Sequence, residues 1–172
     1  MQTIDTSRLR PREFRESDFQ DLYEFLYQLK DDEYDGYPDI TSENGRNHLL
    51  YRLNNREYVA VVLKENAKVI GNIYCGTRDN NSLQIGFIIN KDYQDQGYGS
   101  EAVKAVADRM LADGVHRLYS ECASDNIKGQ HVLENAGFVK EGTLRQYIPY
   151  VLPDGSFQWK DVIIYSKLEK DI

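Results

Sequence analysis

The sequence predicts one α/β domain spanning residues 1–172, built on a mixed, mainly antiparallel sheet flanked by helices. Three patterns predict it. Apolar residues at helical spacing recur twice before any clear strand. Strand-like runs then follow one another through connections too short for crossovers. Last, a strand, an amphipathic helix and another strand succeed each other in an order that requires a parallel crossover.

Arg8 to Phe14 reads as a short first strand, after which Ser17-Asp18 offers a helix cap before Phe19, Leu22, Tyr23, Leu26 and Leu29. The stretch Asp31 to Asp39 is an acidic, tyrosine-bearing loop bounded by Gly36 and Pro38. It reads either as a solvated connection or as the lip of an amine-binding cleft, since carboxylates attract ammonium and tyrosine faces bind cations. Ser42 to Gly45 opens a second helix whose apolar side is Leu49, Leu50 and Leu53. Tyr58 to Leu63 and Val69 to Cys75 are strand-like, joined by a hairpin at Glu65-Asn66-Ala67, and Asp79-Asn80-Asn81 turns the chain into a third strand. There Leu83, Ile85, Phe87 and Ile89 alternate with other residues and predict one firmly buried face.

The next helix carries Val103, Val106, Ala107, Met110 and Leu111 on one face and ends at Asp113-Gly114. His116 to Ala123 is the strand that returns across it. Asp125-Asn126 begins a helix with Val132, Leu133 and Ala136, stopped by Gly137. A closing hairpin joins Val139 to Tyr147 with Phe157 to Leu168 through Pro153-Asp154-Gly155.

Gln94-Asp95-Gln96-Gly97-Tyr98-Gly99-Ser100 stands between the third strand and the amphipathic helix. The first amides of a helix lack internal partners and carry partial positive charge, so this place favours phosphate or carboxylate. Glycine there lets a ligand approach the main chain closely. A loop whose glycines only cap the helix is the plainer alternative. Gly97, Gly99 and Ala102 also fit the dinucleotide pattern G-x-G-x-x-A, with Glu121 near the distance of a ribose-binding acid, so an NAD(P)-dependent oxidoreductase is a rival. Against it, the polar segment Asn90 to Gln96 separates strand from glycines, and too little chain surrounds them for a doubly wound sheet.

The formal charge of -7, from 28 acidic and 21 basic residues, argues against a nucleic-acid partner and suits a cationic substrate. No apolar run is long enough to span a membrane and no signal-peptide core opens the chain, so the expected compartment is the cytoplasm. The 2 cysteines, Cys75 and Cys122, are expected to be buried free thiols. With 3 scattered histidines, the sequence assembles neither a metal site nor a Ser-His-acid triad.

Gln94 to Gly99 resembles the Q/R-x-x-G-x-G/A acetyl-CoA motif of the GNAT family of N-acetyltransferases. Asn126 with Val132-Leu133-Glu134-Asn135-Ala136-Gly137-Phe138 is similar to a later segment of that family. Thr6 to Pro11, Glu141 to Arg145 and Trp159-Lys160-Asp161-Val162 resemble its RimJ/RimL-like branch, so the likeness spans nearly the whole chain. It implies about seven strands and about four helices, with two central parallel strands splaying to admit pantetheine. It also implies that Gln94 and the amides of Gln96, Gly97, Tyr98, Gly99 and Ser100 form the pyrophosphate site. Phe87, Ile88 and Ile89 would pair with pantetheine, and Asn126 and Lys128 would reach the cofactor. Asn126 reads equally as a helix cap, and Lys128 as an uninvolved surface lysine.

The implied reaction is direct transfer of acetyl from acetyl-CoA to a primary amine in a ternary complex, without a metal. The acceptor would be a protein N-terminus, a polyamine, an amino-sugar drug or a free amino acid; a homodimer is left open. Leu133 and Gly129 stand where relatives often carry a tyrosine and a serine, and Gln84 where some carry a glutamate base. Tyr147 is therefore the candidate acid, and Glu121 the candidate base, acting directly or through a water oriented by Gln84. Structural roles compete for each: packing for Tyr147, an exposed strand carboxylate for Glu121. The missing hydroxyls also leave a non-catalytic acyl-CoA-binding module as an alternative.

Overall fold

The alternating and helical patterns resolve, in a computed structural model describing residues 4–34, 36–151 and 156–171, into a six-stranded mixed sheet with two helices on each face. The order is α1 (Phe19–Gln28), α2 (Ser42–Asn54), β1 (Tyr58–Val62), β2 (Val69–Thr77), β3 (Ser82–Ile89), α3 (Tyr98–Ala112), β4 (Arg117–Ala123), α4 (Ile127–Asn135), β5 (Val139–Val151) and β6 (Phe157–Leu168). Strands lie in the order β1-β2-β3-β4-β6-β5, all neighbours antiparallel except β3 and β4. Asp35 and the expected turn at Pro153-Asp154-Gly155 lie outside the described residues.

Short connections set the antiparallel half. Ala67 turns the β1–β2 hairpin at φ 62°, and Asn80 and Asn81 turn β2 into β3 at φ 60° and 54°; asparagine tolerates that left-handed region better than most residues. Ile73, Ile85, Val103, Val106, Leu118 and Leu133 form a core between the sheet and α3/α4. Leu22, Phe25, Leu26, Leu49, Ala60 and Val62 form a second against α1/α2. Both cysteines are free and buried, and burial first, then Glu57, pushes the Cys75 thiol up to about 12.

Four local expectations are corrected. The expected first strand makes only two isolated bridges with the sheet edge, Leu9 to Leu63 and Arg12 to Ala60, with the Arg10 and Arg12 amides donating to the Val62 and Ala60 carbonyls. Asp18 does not cap α1, because its carboxylate takes a two-pronged bond from the Arg12 guanidinium at 2.7 and 2.9 Å and a third from the Arg15 amide. Leu50 is 54% exposed, so α2 buries Leu49 without it. In β3 both faces are covered: Phe87 packs against the α3/α4 core while Ile88 packs against the other.

The parting of β3 from β4 opens a gap in the sheet. Their pairing covers only Ser82–Gln84 against Arg117–Tyr119, although β3 runs on to Ile89 and β4 to Ala123. Past Gln84, β3 stays paired to β2 and β4 to β6, so the two halves of the sheet diverge around an open edge.

Candidate active site at the strand fork

The open edge of β3 presents alternate peptide groups. The Asn90 amide donates to the Ile70 carbonyl of β2 at 2.8 Å, and the Ile88 carbonyl also lies against β2, at Gly71. Peptide groups alternate along a strand, so those of Phe87 and Ile89 face the gap beside β4. Of the expected pantetheine contacts, Ile88 is thus committed to β2 through its main chain and lines the cleft.

That cleft, of about 680 Å³, is walled by Phe87, Ile88 and Ile89, by Gln94, Asp95, Gly97, Gly99 and Ser100 before and at the start of α3, and by Asn126 and Lys128 at the start of α4; Tyr98 is not in the wall. Gln94 straps the loop to the strand, its Nε2 donating to the Ile89 carbonyl at 2.9 Å. Gln96 lies outside the wall with its Nε2 on the Asp92 carbonyl at 3.0 Å. Gly97 is the N-cap of α3 at φ 80°, a conformation open chiefly to glycine. The first intrahelical bond runs from the Glu101 amide to the Gly97 carbonyl at 3.1 Å, leaving the amides of Tyr98, Gly99 and Ser100 without helical partners.

Gly99 is glycine for another reason. It sits inside the helix, and an added Cβ would lie 3.3 Å from the Val132 methyl and 3.6 Å from Ile89. It lets α3 close on α4 and β3.

Arg8, which the sequence placed only within a motif, braces the cradle. Its guanidinium donates to the Gln96 carbonyl at 3.0 Å and lies 4.2 Å from the centre of the Tyr98 ring. Glu101 anchors the same segment, accepting from the Thr6 and Ser7 hydroxyls and from the Arg8 amide and Nε. Burial would raise its carboxyl, but these bonds prevail and hold it at about 2, against an ordinary 4.5.

Across the mouth, Lys128 pairs with Asp95 at 2.7 Å with both side chains 70% exposed. Asn126 caps α4, its Oδ1 accepting from the Gly129 amide at 2.9 Å. At the other end Leu29, Asp32 and Tyr34 close the cleft, so part of the acidic loop does form its lip. His131, Val132 and Asn135 add to the wall from α4; the sequence marked Val132 as apolar helix face and assigned none of the three to a site.

The three catalytic candidates do not meet in this wall. Gln84 and Tyr119 are the last paired residues before the fork, and Glu121, two residues on in β4, shares the Tyr119 face. The Gln84 side-chain Oε1 accepts from the Arg78 guanidinium at 2.5 Å. Tyr147 is half exposed on β5, two strands from β4, at an irregularity where Gln146 has φ 49°. Leu133, where relatives often place a tyrosine, is buried in the core.

No group of three or more metal-ligating side chains occurs among the described residues. No helix among them is long and apolar enough to cross a membrane.

A helix start with unpartnered amides, which favours an anion, thus stands beside an open strand edge, with an acidic, aromatic lip beyond. The sequence pattern of the acetyltransferase (GNAT) domain matches residues 8–139. Over 174 aligned residues the chain is 29% identical to the uncharacterized N-acetyltransferase YnaD of Bacillus subtilis, covering 98% of each. The solved acetyltransferase (GNAT family) from Bacillus anthracis superposes with a TM-score of 0.86 at 24% identity, over 98% of this chain and 99% of that one. RimL, the ribosomal L7/L12 alpha-N-protein acetyltransferase solved with coenzyme A, superposes with a TM-score of 0.80 at 18% identity, over 99% and 100%.

The chain belongs to the GNAT family and is an N-acetyltransferase. The oxidoreductase alternative fails on topology, since among the described residues only one pair of strands is parallel. The reading as a mere binding module gives way to an acyltransferase.

Proposed function

We propose that the protein transfers an acetyl group from acetyl-CoA to a primary amine within a ternary complex. The observation that carries this reading is the fork itself: pairing of β3 with β4 stops at Gln84–Tyr119, and the peptide groups of Phe87 and Ile89 face a cleft that leads to the free amides of α3. Acetyl-CoA supplies the activated acyl carbon. Amides of Gly97 to Ser100 hold its pyrophosphate, while Phe87 and Ile89 pair with the pantetheine arm and Asn126 borders it. Lys128 exchanges Asp95 for a phosphate. CoA bound to the similarly folded RimL supports this assignment.

In the transfer step the neutral amine attacks the thioester carbonyl, a C–N bond forms and the C–S bond breaks. Glu121, directly or through a water held by Gln84, takes the amine proton. A peptide amide of β3 facing the gap stabilises the oxyanion. Tyr147 donates to the departing thiolate. Tyr34 is a second phenol for that role because it lines the cleft, where burial first, then Asp125 and Glu33, raises its pKa and keeps it protonated.

The test is thiol release from acetyl-CoA over a panel of amines: a peptide N-terminus, spermidine, an aminoglycoside and free amino acids. Amine-dependent release with at least one class is expected. CoA binding with no release for any amine would reduce the protein to a binder.

A further inference from the structure

Beside the lip of the cleft, the chain surrounds one of its own ammonium groups with the groups that recognise a foreign one. Lys160 is 7% exposed. Its Nζ pairs with Asp125 at 2.8 Å and with Glu33, and lies 4.2 Å from the Tyr150 ring centre and 5.1 Å from that of Tyr34. Tyr34 and Asp125 also line the cleft, so this cage and the acceptor end share two walls. Two aromatic faces and two carboxylates around one nitrogen form a strong ammonium site, because each ring adds cation–π attraction to the ion pairs. Three separate parts of the chain meet there: the α1–α2 loop, the start of α4 and the β5–β6 hairpin.

We infer that Lys160 is a specificity-determining residue: it occupies the seat a second ammonium of a polyamine acceptor would take, and so confines the enzyme to acceptors whose reactive amine is their only cation near the lip. This rests on the proposed amine acetylation. With Lys160 present, the two carboxylates and both rings are already satisfied, and a second ammonium gains little there. Removing the charge while keeping the stem leaves Glu33 and Asp125 facing each other across a vacancy that opens toward Tyr34 and the cleft.

The experiment measures affinity of the CoA-saturated protein for spermidine and n-butylamine by calorimetry, in wild type, Lys160→Met and Lys160→Arg. In wild type, spermidine should bind no more than about threefold tighter than n-butylamine; a preference of tenfold or more overturns the inference without any variant having to fold. Lys160→Met should bind spermidine at least about tenfold tighter than wild type, while Lys160→Arg, which refills the cage with a cation, should behave like wild type. A lysine that merely latches the loop would lower the melting temperature of Lys160→Met and leave its spermidine affinity unchanged, and that result also overturns the inference. The parent reading fails separately, through lack of CoA binding or of acetyl transfer by wild type.

Discussion

Glu101 braces the start of α3 from outside the cleft. Its carboxylate collects bonds from Thr6, Ser7 and Arg8, and Arg8 in turn holds the Gln96 carbonyl. Glu101→Gln should cost about 1–3 kcal/mol at neutral pH by weakening these charge-assisted bonds. Because the folded carboxyl is depressed to about 2 from 4.5, its stabilisation is complete above the unfolded value and is lost as pH falls through that window. Denaturant titrations at stepped pH should show the variant losing less stability than wild type between those limits. The catalytic phenol is decided by Tyr147→Phe and Tyr34→Phe in single turnover. The true acid should lose about a hundredfold to ten-thousandfold in the transfer step with CoA affinity intact; losses under about threefold in both would leave the thiolate to solvent.

At the level of elements, the two glycines of the cradle have different tasks. Gly97→Val forces a branched residue to φ 80° beside Arg8 and should weaken CoA binding at least about tenfold. Gly99→Val drives a side chain into Val132 and Ile89 and should instead destabilise the fold by about 1–3 kcal/mol. CoA titration well below the melting temperature, paired with denaturant unfolding, separates the two effects; equal CoA loss without destabilisation in Gly99→Val would contradict the division. In the sequence the glycines looked alike, since spacing does not reveal which one bears positive φ. The β1–β2 hairpin, the α3 crossover and the closing hairpin were legible because alternation, helical spacing and short turns act locally. Arg8 to Phe14 was not, because its pairing depends on the distant edge of β1. Nor was the Asp18–Arg12 pair, which removed a cap that propensity favoured. The cleft wall was readable where motif and element coincide, at Gln94, Gly97, Gly99, Ser100 and Asn126. Lys160 in its cage was not, because Glu33, Asp125 and Tyr150 come together only through the tertiary fold.

Across the whole molecule, the sheet fails to close, and the proposed function is placed in that opening. An antiparallel half carrying α1 and α2 and a second half built around β4, β6 and β5 join by three residue pairs, and the gap beyond them is the cleft. Anything that fills this gap in the native state alone stabilises the protein by mass action, about 2.7 kcal/mol at a hundredfold excess over Kd. For a chain of this length that corresponds to roughly 5–10 °C in melting temperature. The direct measurement is therefore the melting temperature at saturating acetyl-CoA, CoA and NAD: the first two should raise it by that amount and NAD should leave it unchanged, whereas a rise with NAD and none with either CoA species would contradict the assignment of the cleft.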